Sequence, residues 1–192
     1  MTTTLARLTI SRRMALIGVA AALLTGVLLD ANIRAARAHQ WATYHWDKGG
    51  SQIAIYSYNT ANNWQAAENA RIDGWNKIGI LYNYAVNYHT DISVFDGYYG
   101  NTGWVGLASI ETAYWDARCS CYAHIGHAHS RYNMSYPMSQ ADIQGIFCQE
   151  IAHGWGLGHS NSGDCMGKTY YNQINYYGAH NSLDFFNMYR YH

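Results

Sequence analysis

Residues 148–167, CQEIAHGWGLGHSNSGDCMG, constrain this chain more than any other stretch. Gln149 and His153 are four residues apart, so in a helix they share a face, with Glu150 projecting beside them. Gly156 follows His153 by three residues, where a glycine lets a helix end and the chain turn. His159, six residues after His153, can then swing back toward that face. Met166 comes seven residues later in a Gly-rich turn. Two groups from one helix and one from the returning chain is the spacing of a tripodal zinc site. A Gly-rich helix end with two hydrogen-bonded histidines is the plainer reading. It leaves unexplained why Glu150 sits next to a ligand-like face.

The rest of the chain reads as one domain without repeats or linkers. Residues 39–50 read as an extended lead-in segment, and 51–58 alternate apolar and polar residues as a strand does. Asn62 or Asn63 can cap a helix to about Ile78, with Trp64, Ala67, Arg71 and Trp75 at spacings of three and four and the two tryptophans marking its buried stripe. Strands are expected near 79–86, 91–95 and 103–110 and over 121–133. Ser139 caps a second helix, from about Gln140 to Leu157, with Asp142 at the capping-box position, and a third helix covers roughly Ser182 to Tyr191. Mixed strands with three helices in this order make an α+β layout.

The stretch Q-E-I-A-H-G-W-G-L-G-H resembles the metzincin pattern H-E-x-x-H-x-x-G-x-x-H with its downstream Met-turn, matching at Glu150, His153, Gly156 and His159. Ser160 after the last histidine looks like the matrixin branch, and Met166 resembles the Met-turn methionine, a hydrophobic floor under the metal. The order of elements over roughly residues 40–192 is also similar to a matrixin catalytic domain. The resemblance implies a zincin-like fold, a mixed twisted sheet with an early helix, an active-site helix and a C-terminal helix. It implies Zn2+ held by His153 and His159, with Glu150 as general base in peptide-bond hydrolysis. It also implies that Asp184, in the closing helix, hydrogen-bonds near the Met-turn. A solvated acid favoured by the helix dipole is the other reading of Asp184.

Gln149 stands where the family has its first zinc histidine, and an amide oxygen is a much weaker donor than an imidazole nitrogen. Three readings follow. Gln149 coordinates through its oxygen or yields to water; another histidine (His124, His127 or His129) completes the site; or zinc is lost and the domain is a pseudopeptidase. His127 and His129 are two apart and share a face on a strand, and their plainer role is as polar edge residues or an accessory metal site.

Cys119, Cys121, Cys148 and Cys165 are an even set, which in an exported chain suggests disulfides. Pairing Cys119 with Cys121 across one residue is expected to be strained. Cys148 precedes Gln149 and Cys165 precedes Met166, so a bond between them would staple the helix to the floor of the site. The alternative pairs each with Cys119 or Cys121.

Arg7, Arg12 and Arg13 precede the uncharged run Met14–Leu29, and Ala36-Arg37-Ala38 offers a small-x-small cleavage site. Residues 1–38 are therefore expected to be a signal peptide of Sec type, or Tat type on the strength of Arg12-Arg13. An N-terminal anchor is the alternative. The apolar run is 16 residues, short of the ~20 that span a bilayer. The removed piece carries five of 12 basic and one of 12 acidic residues, leaving a mature net charge of −4. With no basic patch, nucleic acid is not an expected partner. A secreted monomer acting on protein or peptide substrates is expected, and no Asp-rich loop resembles a calcium site. The rival is an inactive metzincin-like binding protein, whose cleft and aromatics such as Trp104, Trp115 and Trp155 would supply recognition.

Overall fold

The computed structural model describes residues 40–48, 52–160, 163–167 and 174–189. The expected signal peptide lies outside the described residues. Strands are β1 (His45–Trp46), β2 (Ile53–Asn59), β3 (Leu81–Val86), β4 (Ile92–Gly97), β5 (Gly106–Asp116) and β6 (Cys121–Asn133). Helices are α1 (Trp64–Lys77), α2 (Gln140–Gly154) and α3 (Ala179–Tyr189). The sheet is mixed but mostly parallel, as the α+β expectation allows. β2 pairs with both β3 and β4, β4 pairs with β6, and β1 pairs with the early part of β6, all in parallel. β5 alone is antiparallel, joined to β6 by a tight connection. Parallel neighbours need a long crossover, and α1 provides it between β2 and β3. No described helix is long and apolar enough to cross a membrane.

Alternation works as expected in β2, where Ile53, Ile55 and Ser57 are buried and Tyr56 points out. In β6 the buried positions are Ala123 and Ile125, then Ala128, Ser130 and Tyr132, so the phase changes around Gly126. The β5–β6 register slips there, and a Cβ on Gly126 would lie 2.3 Å from the Tyr114 ring. This is a β-bulge, and a side chain at Gly126 would have to displace the exposed Tyr114 ring.

Helix α1 differs from its expected face. Trp64 is exposed, and the side chain of Trp75 lies outside the described residues. The buried stripe is made of small residues instead, Ala66, Ala67, Ala70 and Gly74, together with Arg71. The reason is Trp155, fully buried against this helix, whose ring would meet a Cβ on Gly74 at 2.1 Å. Its indole N–H reaches the Asn83 amide oxygen at 3.1 Å. Asn63 is the N-cap, but its side chain does not cap. The Asp96 carboxylate on β4 does so, accepting from the backbone N–H groups of Asn62 and Asn63 at 2.8 and 2.9 Å.

Helix α2 starts as expected. The Ser139 hydroxyl accepts from the Asp142 N–H at 3.2 Å and donates to its carboxylate at 2.6 Å. It ends at Gly154, three residues before the expected Leu157, because the chain reverses there. Gly156 N–H bonds His153 O (2.9 Å) and Leu157 N–H bonds Ala152 O (3.0 Å), with Gly156 at φ +95°. That is a Schellman motif, and a Cβ on Gly156 would clash with Tyr44 O at 2.6 Å. Trp46 Nε1 donates to Gly154 O and Tyr189 Oη donates to Trp155 O, both at 2.9 Å, so the helix end is buried without orphan carbonyls. The lead-in segment is less extended than expected, comprising a bridge at Gln40, a turn and the two-residue β1.

Both disulfides involve the expected cysteines: Cys148 pairs with Cys165, the bond that would staple the helix to the floor of the site, and Cys119 pairs with Cys121. The second forms across one residue, and the strain expected of it falls on the backbone of Ser120. Ser120 adopts φ 52°, in the left-handed region, and holds the two Cα atoms 5.3 Å apart, inside the usual disulfide range. Two disulfides are consistent with an extracellular protein.

Candidate active site

Three segments converge on one cleft of about 190 Å³, lined by Trp41, Gly106, Leu107, Ala108, Glu150, His153 and His159. Helix α2 supplies Glu150 and His153 from its last two turns, and the reversal at Gly156 returns the chain so that His159 faces His153. Their Nε2 atoms are 3.2 Å apart. The Nδ1 of His153 lies 2.7 Å from Leu157 O, the carbonyl that the Schellman turn places beside it. A neutral ring must donate from Nδ1 there, which leaves the Nε2 lone pair facing His159. Burial pushes the His153 pKa down to about 4, against a smaller upward pull from Leu157 O, so the ring is neutral over the physiological range.

Glu150 is buried, with its carboxyl against the backbone of β5. A Cβ on Gly106 would sit 2.4 Å from Glu150 Oε1 and 2.7 Å from Ile146, so glycine is required for α2 to approach the strand. Desolvation raises the Glu150 pKa to about 8, and the Ala108 backbone N–H only partly offsets it. The Ser130 hydroxyl anchors this turn of the helix to β6, donating to Glu150 O at 2.8 Å.

Gln149 is 1% exposed. Its Nε2 donates to Gly167 O at 2.6 Å, and its Oε1 is buried without a hydrogen-bond partner among the described residues. The Met166 turn lies against the same region. Met166 is fully buried, its N–H bonds Asp164 Oδ1 at 3.0 Å, and its carbonyl accepts from Ser160 N–H at 2.8 Å. Asp164 is held in turn by the Asn181 amide on α3. Asp184 pairs with His180 at 3.2 Å, and a hydrogen bond to the turn residue Asp164 comes from Asn181. Helix α3 itself starts at Ala179, three residues earlier than expected, and is described to Tyr189.

The donor set suits zinc. Nitrogen donors 2.0–2.1 Å from a tetrahedral ion are roughly 3.3 Å apart, close to the observed pair, and an orphaned amide oxygen is a third available donor. Histidines 124, 127 and 129 do not join this set. Ala128 and Ser130 face α2, so His127 and His129 point to the opposite face of the sheet. There they form one group with His89, while His124 forms another with His45 and Asp116, and each group could hold a metal ion. In the second, Arg118 already supplies the cation, bonding Asp116 Oδ1 at 3.1 Å and lying 3.0 Å from His124 Nε2.

Trp41 was not legible as a site residue. Its N–H bonds Gly156 O at 2.8 Å and its ring packs over His153 at 5.0 Å between centroids, a position no local pattern announces. Of the tryptophans read as a recognition surface, Trp155 is core, Trp104 packs on Tyr99 and Trp115 is exposed. Compared with known proteins, the chain matches no family model and no curated protein.

Proposed function

We propose that the protein is a secreted zinc-dependent metalloendopeptidase of metzincin, matrixin-like type. The observation that carries this reading is that Glu150, His153 and His159 line one cleft, with the two imidazole nitrogens apposed at 3.2 Å. His153, His159 and the Gln149 oxygen would hold the ion, and zinc so bound supplies Lewis-acid polarisation of a water and of the scissile carbonyl. Glu150 accepts the water proton on its carboxylate and passes it to the leaving amine nitrogen. Leu157 O keeps His153 in the tautomer that presents Nε2. β5 pairs only with β6 among the described residues, so its outer edge can hydrogen-bond an extended peptide, and Gly106–Ala108 on that strand line the cleft.

A second reading is favoured by one observation, the bond from Gln149 Nε2 to Gly167 O. A side chain held by the Met166 turn would leave two histidines as the only strong donors. The domain would then be a pseudopeptidase that binds an extracellular partner in the cleft.

Zinc content after dialysis against metal-free buffer separates the two. Zinc that disappears on His153→Ala or His159→Ala, with peptide hydrolysis lost on Glu150→Ala, supports the peptidase. A folded protein without zinc at these residues sinks that reading and leaves the binding protein.

A further inference from the structure

We propose that His89, His127 and His129 form a site for a zinc-like divalent transition metal, on the sheet face away from α2. The three side chains come from two places. His127 and His129 stand two residues apart on β6 and point to the same side, and His89 lies on the loop between β3 and β4. Their ligand atoms all lie within 4.8 Å of one another. Small side-chain rotations bring such a set to the roughly 3.3 Å that nitrogen donors keep around zinc.

The surroundings orient the rings as a metal site needs. His127 Nδ1 donates to Thr90 O, the residue next to His89, which leaves Nε2 as its ligand atom. One short loop thus supplies both a ligand and the carbonyl that aims another. The loop is fixed to the sheet: Ala128 N–H bonds Asp91 O at 3.0 Å, and the Asp91 carboxylate accepts from Tyr56 N–H at 3.0 Å and from Lys48. His129 Nδ1 accepts from Arg131 Nη2 at 2.5 Å and lies 3.0 Å from Glu111 Oε1, so metal binding through Nε2 requires the ring proton to move to Nδ1 and Arg131 to turn to Glu111. With metal bound, His129 donates to Glu111, a carboxylate–histidine–metal arrangement, and Arg131 bonds the same carboxylate oxygen at 2.9 Å. Glu111 also offsets the Arg131 charge. Three imidazoles with open positions toward solvent favour zinc, copper or nickel over magnesium or calcium. The bound ion would clip the β3–β4 loop to β6.

The test uses the purified protein, stripped with chelator and titrated with Zn2+ alone against a chromophoric competitor. Three variants are compared: His89→Asn, His127→Asn with His129→Asn, and His153→Asn with His159→Asn. The expected result is loss of one zinc equivalent in the His127/His129 pair and its retention in the His153/His159 pair. In the latter, zinc also raises Tm. His89→Asn, an exposed loop change that leaves the fold alone, weakens that equivalent by at least about tenfold. Unchanged stoichiometry and affinity in the His127/His129 pair overturns the proposal. If that pair does not fold, unchanged affinity in His89→Asn overturns it by itself. The His153/His159 arm reads the cleft separately, so failure of one site is not mistaken for failure of the other.

Discussion

Replacing Glu150 by Gln should stabilise the metal-free protein at neutral and alkaline pH while removing the proposed base. The carboxyl has a pKa of about 8 in the folded chain against an ordinary 4.5, because burial penalises its charged form. Between these values the folded state binds more protons than the unfolded one, so stability falls as pH rises. The fall begins near 4.5 and is complete above about 8, and at 1.36 kcal/mol for each pKa unit it amounts to about 5 kcal/mol. His153 acts with the opposite sign. Its pKa falls from 6.5 to about 4, so its contribution to stability is lost on acidification through that window. The two largely cancel between about pH 4.5 and 6.5. Above that, Glu150 alone remains, and the native chain should lose about 2 kcal/mol from pH 6.5 to 8. Glu150→Gln should be flat there, since the amide oxygen can still accept from the Ala108 N–H. Urea unfolding of chelator-treated protein at pH 4.5, 6.5 and 8.5 measures this. Parallel stability curves for the two proteins would refute the reasoning, because a buried carboxyl that costs nothing to ionise is not desolvated.

Other outcomes follow from the packing. Gly106→Ala forces a methyl into Glu150 and Ile146 and should cost about 1–3 kcal/mol in urea unfolding, with a larger proportional loss of any peptidase activity. Gly74→Ala, normally favourable in a helix, should destabilise by a similar ~1–3 kcal/mol because Trp155 has nowhere to go, and Trp fluorescence should report its displacement. Asp96→Ala strips α1 of its cap and should cost about 1 kcal/mol by thermal melting. Changing Cys148 and Cys165 together to Ala opens a loop spanning 17 positions and should cost about 3 kcal/mol in urea unfolding. Gln149→His should tighten zinc at the cleft by at least about tenfold in competition titrations, as an imidazole replaces an amide.

Local chemistry was legible and long-range packing was not. The Ser139 cap, the turn at Gly156 and the β6 strand follow from residues that are neighbours in sequence, and the structure places them where spacing and turn chemistry put them. The Cys148–Cys165 bond could be anticipated because each cysteine adjoins a residue already assigned to the site. The buried face of α1 could not, since its small residues answer to Trp155 on a distant segment. Nor could the Cys119–Cys121 bond, which rests on one left-handed Ser120. At the site, Glu150, His153 and His159 were visible as a pattern. Trp41 and the Gly106–Ala108 wall were not, because what makes them part of the cleft is the docking of the lead-in segment and of the remote strand β5 onto α2.

The bulge at Gly126 divides β6 into two halves that are out of step by one residue. If Gly126 were an ordinary strand residue and not a bulge, strict alternation would send either Ala123 and Ile125 or Ala128 and Ser130 to the wrong side, and a histidine of that half would change faces with them. Straightening the bulge while keeping Gly126 as an ordinary strand residue is therefore a frame error in three dimensions. It would turn one half of the strand inside out and bring a histidine into the core. Because the halves are phased independently, substitutions around His124 and around His127 and His129 can accumulate separately. One strand can thus evolve two distinct polar clusters on the same face while its other side stays committed to the core beneath α2.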